Sequence, residues 1–512
     1  MRFSKIYSAQ NHLLRAHVIS IETDISRGLH SFSIVGLPTK AVEEARDRVG
    51  AAIKNSGFKS PKETNAKIIV SLAPSDLRKE GSAFDLPIAL GYLLAAGEAE
   101  FDPADRLFVG ELSLDGFARP VGGTLSYARM AKERGFKEIY VPKENEKEAA
   151  LLEGIDVFGV EMLSELVDHL SGKKKLEPCP TVDYKKLAEK RDTSIDLDDI
   201  AGHAIAKRGL VIAAAGRHNI GLFGPPGTGK TMLARALSAL MPALSFEEML
   251  EATEIHSIAG ILDAGIVAHP PVRAPHHTAS YSALIGGGPM PKPGEATLAH
   301  RGILFLDEFP EFDKRAIEAL RQPLEDKTIS ISRTRGAARF PADFILVAAQ
   351  NPCPCGNRGI QGRECLCSPA LVRNYEKKIS GPIVDRIDMW IEVSKTEHRN
   401  LMRSRTDANE TRKARELVDR ARAAQSRRFG NRGIARANAN IPARDLSRFA
   451  SLSKEAMGII EKASQTYGLS GRGYHRTVRL ARTIADISGT EKIEAPHILE
   501  ALQYRQRKTA DG

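Results

Sequence analysis

The chain has 512 residues, 42% of them apolar and 27% charged, an ordinary globular composition that excludes a wholly disordered, collagen-like or disulfide-scaffold protein. At roughly 150 residues per domain, this length implies three to four domains rather than one core. Lys and Arg number 74 against 64 acidic residues, a net charge of +10 that permits a polyanionic partner without requiring one.

Met1–Gln10 carries Arg2 and Lys5 with no apolar run behind them, so no secretory signal is read there. The longest apolar stretch, Leu86–Ala96, is too short to cross a bilayer, and a cytoplasmic protein without membrane association is expected. Over residues 1–171, strand-like runs such as Lys67–Leu72 and Glu138–Pro142 alternate with helical patterns over Thr39–Asn55 and Ser126–Gly135, predicting an α/β or α+β domain. Residues 172–199 turn polar, with Lys173, Lys174, Lys175, Pro178 and Pro180, and are expected to be a linker. A second α/β block follows over 200–395, and Arg- and Ala-rich helical patterns occupy 396–512.

The second block carries the chemistry. Gly224-Pro225-Pro226-Gly227-Thr228-Gly229-Lys230-Thr231 fits the P-loop pattern, with a strand-like run before it (Asn219–Phe223) and a helix former run after it (Met232–Leu240). Its glycines let backbone N–H groups wrap phosphate oxygens, and the following helix presents its positive end to them. Lys230 is expected on the phosphates and Thr231 on Mg²⁺. The apolar run Ile303–Leu306 reads as a strand buried on both faces and ends in Asp307 and Glu308. Asp307 is expected to hold Mg²⁺ and Glu308 to polarise the attacking water. A third strand-like run, Ala342–Ala349, ends in Gln350-Asn351, which sets the Asn351 amide where it can orient a water at the γ-phosphate.

With these residues assembled, the chain resembles AAA+ ATPases of the magnesium-chelatase-like branch, and more closely the ComM/YifB group. The specific pieces are Arg273-Ala274-Pro275-His276-His277-Thr278, Pro293-Gly294-Glu295-Ala296, Leu298-Ala299-His300, Asn351-Pro352-Cys353-Pro354-Cys355-Gly356, Gly381–Asp388 and Tyr474-His475-Arg476. The resemblance implies an AAA+ P-loop core with a helical lid. It also implies a ring, typically a homo-hexamer, with ATP between subunits, and a DNA motor driving branch migration during recombination of incoming DNA. It makes Asn351 the sensor-1 residue, Arg386 the arginine received by a neighbouring subunit's ATP, and Arg472 the sensor-2 residue of the lid.

From Lys230 to Asp307 is 77 residues, and six prolines and six glycines between Gly260 and His300 argue against a long helix there. This stretch resembles the hairpin-bearing insertion such motors place near the pore. A second hairpin is expected from Thr328–Arg333, a turn at Thr334-Arg335-Gly336 and a return over Ala337–Phe340. Its Arg333, Arg335 and Arg339 suit backbone phosphates of single-stranded or branched DNA. Thirteen basic residues against four acids between Arg399 and Arg444 give an excess of nine, close to the whole-chain charge. That run reads either as a phosphate-tracking helix with a joint at Gly430–Gly433 or as a solubilising one.

Cys353-x-Cys355 and Cys365-x-Cys367, in an insertion over 353–367, could gather four thiolates around one Zn²⁺, although the usual knuckle is C-x2-C. Redox chemistry and coincidence are the alternatives, and Cys179 stands apart. The amino-terminal domain resembles the Lon protease domain through Arg78–Ala83, Arg119–Gly123, Ala131–Gly135 and Val141–Asn145. Leu125 stands where that family carries its catalytic lysine and Ala83 aligns with its serine, so a Lon-like α+β fold without peptidase activity is expected, with Ser82 as a helix cap. A chelatase-type remodeller of a protein partner is the alternative to the DNA motor, and an ATP-dependent protease ranks below it.

Overall fold

A computed structural model of the chain describes residues 3–189, 195–262, 265–288, 291–333, 336–359, 363–394, 409–430 and 437–505. The chain divides into two compact units, Met1–Glu189 with Ser245–Ala268, and Lys190–Leu244 with His269–Gly512.

The first unit is built on a long hairpin, β1 (Phe3–His12) and β2 (Arg15–Arg27), paired in register from Phe3 opposite Asp24 to His12 opposite Arg15. Alternating burial along both strands reflects a sheet with one covered face. Around it assemble β3 (Ser31–Val35), β4 (Ala66–Ala73), β5 (Arg106–Phe108), the small hairpin β6 (Glu111–Leu112) and β7 (Ala118–Arg119), β8 (Glu138–Pro142) and β9 (Asp156–Val160). The main sheet runs β3-β4-β2-β1-β5-β8-β9, antiparallel among β1, β2 and β4 and parallel elsewhere. The apolar stretch at Leu86–Ala96 is a helix, Asp85–Ala96, buried on nearly every side as its all-round hydrophobicity requires. The pattern over Thr39–Asn55 divides into helices Lys40–Glu43 and Ala45–Asn55. Part of the expected linker is docked on this unit: the Cys179 and Val182 N–H groups donate to the Val157 and Ala150 carbonyls, and Tyr184–Glu189 is helical.

Helix Phe246–Ala259 also belongs to the first unit, so the division crosses the block expected over 200–395. Ser245 and Glu248 close its first turn as a reciprocal capping box, and Gly260, at φ +73°, ends it.

The second unit contains β10 (Ile220–Phe223), β11 (Val272–Arg273), the hairpin β12 (Gly286–Gly287) and β13 (Lys292–Pro293), β14 (Ile303–Leu306), the hairpin β15 (Thr328–Arg333) and β16 (Gly336–Pro341), β17 (Ile345–Gln350) and β18 (Met389–Glu392). Five of these form an all-parallel sheet in the order β11-β14-β17-β10-β18. Its central strand β17 and neighbour β14 are buried almost throughout, which is why they read as unbroken apolar runs. The insertion expected to carry a hairpin does so at β12–β13, and the second expected hairpin is β15–β16. Helices Ala204–Gly216, Glu410–Phe429, Gly471–Ser488 and Ala495–Gln503 contribute Leu210, Val418, Ile484 and Ile498 to the same core as Leu222 and Val347 of the sheet.

Just before β17, buried Asp343 gathers three cations: Arg301 at 2.7 Å, Arg217 at 3.6 Å and Lys327 at 3.7 Å. Burial opposes its ionisation, but Arg217, Lys327 and Arg301 outweigh that and hold its carboxyl well below the usual carboxylate range. Asp343→Ala leaves these cations without their shared counter-charge. It should cost about 3–5 kcal/mol, read as a lowered urea midpoint for the second unit, and an unchanged midpoint would contradict this role.

Candidate active site

The parallel register brings three strand ends together. Leu222 lies opposite Ala349 and Phe223 opposite Gln350, while Leu306 lies opposite Ala348. The residues that follow, Gly224, Asp307 and Asn351, therefore emerge side by side at the carboxyl edge of the sheet, where open α/β sheets bind ligands.

Gly224 leaves β10 where a Cβ would sit 2.2 Å from the Val393 carbonyl oxygen, so no larger residue fits. Gly227 and Gly229 take φ of +74° and +86°, and Thr228 Oγ1 donates to the Pro225 carbonyl at 2.9 Å. Helix Lys230–Leu240 starts directly after Gly229. The Lys230 ammonium donates to the Gly224 and Pro225 carbonyls at 2.8 Å each and to Asn351 Oδ1 at 3.1 Å. Burial pushes its pKa down, opposed by the Asp307 charge, so an anion placed there would find a poorly solvated cation. Thr231 Oγ1 donates to Asp307 Oδ2 at 2.8 Å. That hydroxyl and carboxylate are the hard oxygen donors a Mg²⁺–nucleotide complex takes, and Lys230 and the loop glycines suit its phosphates, so the residues fit both groups.

Glu308 adopts a left-handed backbone, φ +51°, unusual for a non-glycine residue, and its side chain is 52% exposed. Its Oε2 lies 3.1 Å from His277 Nδ1. His277 was legible only as part of the Arg273–Thr278 motif. What brings it here is β11 pairing with β14, Arg273 opposite Leu304, so that the chain leaving β11 runs beside the chain leaving β14. Arg273 is itself fixed by a bidentate pair with Glu295, at 2.6 and 2.9 Å.

Arg386 and Arg472 form a second group. Both contact the carboxylate of Glu325, Arg472 at 3.1 Å, and Arg386 also donates to the Pro382 carbonyl at 2.8 Å. Hydrogen bonding to Arg386 holds the Glu325 carboxyl below its ordinary range. Among the described hydrogen bonds, neither arginine reaches the phosphate loop, Asp307, Glu308 or Asn351. Glu325 carried no sequence signal.

Of the expected DNA contacts, Arg339 is exposed on β16, whereas Arg335 and the side chain of Arg333 lie outside the described residues. In the basic run, residues 399–408 and 431–436 lie outside them too. Among its described residues, Arg412, Arg415, Arg428 and Arg444 have protein partners. Arg415 donates to the Ala239 carbonyl, and Arg428 pairs with Asp486 and Asn438, so these two brace the helix rather than track phosphates. Cys353, Cys355, Cys365 and Cys367 come together with their sulfurs within 4.8 Å of one another.

In the first unit, Leu125 is fully buried and its N–H donates to Glu148 Oε1 at 2.9 Å. Ser82 is not a side-chain cap: its hydroxyl bonds Glu111, and helix Asp85–Ala96 starts after Phe84 without a side-chain cap bond. Helix Phe246–Ala259 covers the Gly122-Gly123 turn. Ser257 Oγ accepts from the Gly123 N–H at 2.6 Å, a Cβ on Gly122 would meet the Ser257 carbonyl at 2.7 Å, and Glu254 binds Arg129 at 2.9 Å.

Three family models match the chain: magnesium chelatase subunit ChlI over residues 196–401, subunit ChlI of Mg-chelatase over 21–145, and the ChlI C-terminal model over 408–505. Competence protein ComM of Haemophilus influenzae is 41% identical, over 99% of this chain and 98% of its own. The uncharacterized protein YifB of Escherichia coli is 41% identical over 96% and 95%. Lon protease 2 of Bacillus subtilis is 26% identical over 36% of this chain and 38% of its own.

If Lys230 is the phosphate-binding cation, Lys230→Ala should abolish binding of a fluorescent ATP analogue in titration; wild-type affinity would remove it from that role. Glu308→Gln should bind the analogue normally and hydrolyse ATP at least roughly a hundredfold more slowly, and a phosphate-release assay giving normal turnover would contradict the assignment.

Proposed function

The chain belongs to the ComM/YifB family of magnesium-chelatase-like AAA+ proteins, and on that premise we propose that it is an ATP-hydrolysing ring motor that acts on DNA, driving branch migration in recombination of incoming DNA. One observation carries the ATPase: Lys230, Thr231, Asp307 and Asn351 are joined by hydrogen bonds at the ends of three adjacent parallel strands, with Glu308 beside them. Bound Mg²⁺–ATP supplies the γ-phosphoryl group and the charge that polarises it. Lys230 neutralises phosphate charge, and Thr231 and Asp307 present the metal's oxygen donors. Glu308 orients the attacking water and accepts its proton, and the Asn351 amide fixes that water's position. His277 Nδ1, 3.1 Å from the Glu308 carboxylate, is placed to orient it.

Arg386 serves the nucleotide of the neighbouring subunit in a homo-hexamer, a reading supported by its pairing with Glu325 away from the chain's own phosphate loop, and Arg472, on the same carboxylate, is the sensor-2 residue of the lid. DNA, single-stranded or branched, is engaged by Arg333, Arg335 and Arg339 of the β15–β16 hairpin through sequence-independent phosphate contacts. The helices after residue 408 act as the lid of the nucleotide site, and the first unit is Lon-like without peptidase activity, as buried Leu125 supports. No helix among the described residues is long and apolar enough to cross a membrane, and action on DNA suits a cytoplasmic location.

ATP turnover should rise with DNA at fixed salt, and the wild type, unlike Lys230→Ala, should move a Holliday junction. Stimulation should vanish in Arg333→Ala/Arg335→Ala, and Arg339→Ala should lower the salt dependence of binding by about one ion. Absence of DNA binding even at about 50 mM salt would favour the chelatase-type remodeller of a protein partner. Mixing Arg386→Ala with Lys230→Ala subunits should restore part of the turnover that each lacks alone; no recovery in mixed rings would rule out action across subunits.

A further inference from the structure

The four cysteines lie on the flank of the nucleotide site. β17 delivers Asn351 to Lys230, and Cys353 follows two residues later, buried where Cys355 is exposed. Cys353, Cys355 and Cys365 have their sulfurs 3.4, 3.7 and 3.7 Å apart, and none is bonded to another. Zn–S bonds of about 2.3 Å in a tetrahedron would separate sulfurs by about 3.8 Å, so these spacings suit one ion. An iron–sulfur cluster would hold its cysteines further apart, since bridging sulfides separate the irons. The Arg358 N–H also donates to Cys353 Sγ at 3.4 Å. N–H groups aimed at sulfur stabilise thiolates, the form that binds metal.

The turn Cys353–Gly356, closed by the Gly356 N–H on the Cys353 carbonyl, touches the phosphate loop directly. Gly356, at φ +76°, packs so closely on Pro226 that a Cβ there would sit 2.6 Å from Pro226 Cδ. Helix Pro369–Glu376 begins two residues after Cys367. The segment carrying the cysteines thus leaves the sheet at Asn351 and rests on Pro226.

We propose that Cys353, Cys355, Cys365 and Cys367 bind one Zn²⁺ that clamps Asn351 and Pro226 in the geometry the nucleotide site requires. The clamp rests on the ATPase reading; the metal site does not. The ion has no part in the chemistry at phosphorus. It replaces a hydrophobic core that this short, polar segment is too small to form.

Elemental analysis of the full-length chain purified without chelator should find about one zinc per chain, and Co²⁺ exchanged into the site should show the thiolate charge-transfer bands of a tetrahedral centre. Less than about 0.2 zinc per chain, iron in its place, or cobalt without those bands overturns the site. Stripping zinc with a strong chelator under excess Mg²⁺ should lower kcat for ATP roughly ten- to a hundredfold, with recovery on adding Zn²⁺ but not more Mg²⁺. Gly356→Ala keeps all four cysteines and should keep its zinc while losing turnover to a similar extent. Undiminished turnover in the stripped wild type or in zinc-loaded Gly356→Ala overturns the clamp. A zinc-loaded wild type that binds no ATP refutes the nucleotide-site reading instead and leaves the metal site standing.

Discussion

Lys230 reaches Asn351 because the strand that leads into the phosphate loop, β10, lies directly beside β17 in a parallel sheet. Parallel neighbours end on the same side, so each can deliver a polar residue to one edge while its body stays buried. The same rule carries Asp307 to Thr231 from β14 and His277 to Glu308 from β11. Asp343 secures the other end of β17 by holding three cations that would otherwise repel one another. A displaced β17 would separate the lysine from its amide and shift the cysteine segment that continues from it.

In the first unit the same kind of packing sets position 125. A lysine at position 125 would place a charge where Leu125 is fully buried. The turn before it, Gly122-Gly123, is covered by Ser257 of helix Phe246–Ala259, and Glu254 of the same helix binds Ser126 and Arg129. These residues anchor a helix that belongs to the first unit although its sequence lies between two parts of the second.

Much of the nucleotide site was legible because its residues are local in sequence. The P-loop, the run ending in Asp307-Glu308 and the run ending in Gln350-Asn351 each signal their place through apolar periodicity and a terminal polar residue. The β15–β16 hairpin was legible for the same reason. Helix Phe246–Ala259 was missed although Ser245 and Glu248 spell its capping box, because the consecutive buried run Ala252–Ser257, polar residues included, gives no one-sided apolar stripe to mark it. In the basic run, Arg415 and Arg428 have internal partners, which charge counting cannot detect.

By itself the sequence determined which residues can hold phosphate and metal, since loop conformation, strand burial and donor chemistry are properties of a few consecutive residues. Only the tertiary structure decided which of them meet. That Glu308 faces His277, that Arg386 and Arg472 share Glu325, and that Gly356 rests on Pro226 all depend on strand order and on close approach between distant segments. Neither is encoded at any fixed spacing along the chain, because many strand orders are compatible with the same apolar runs and only packing of the whole unit selects one.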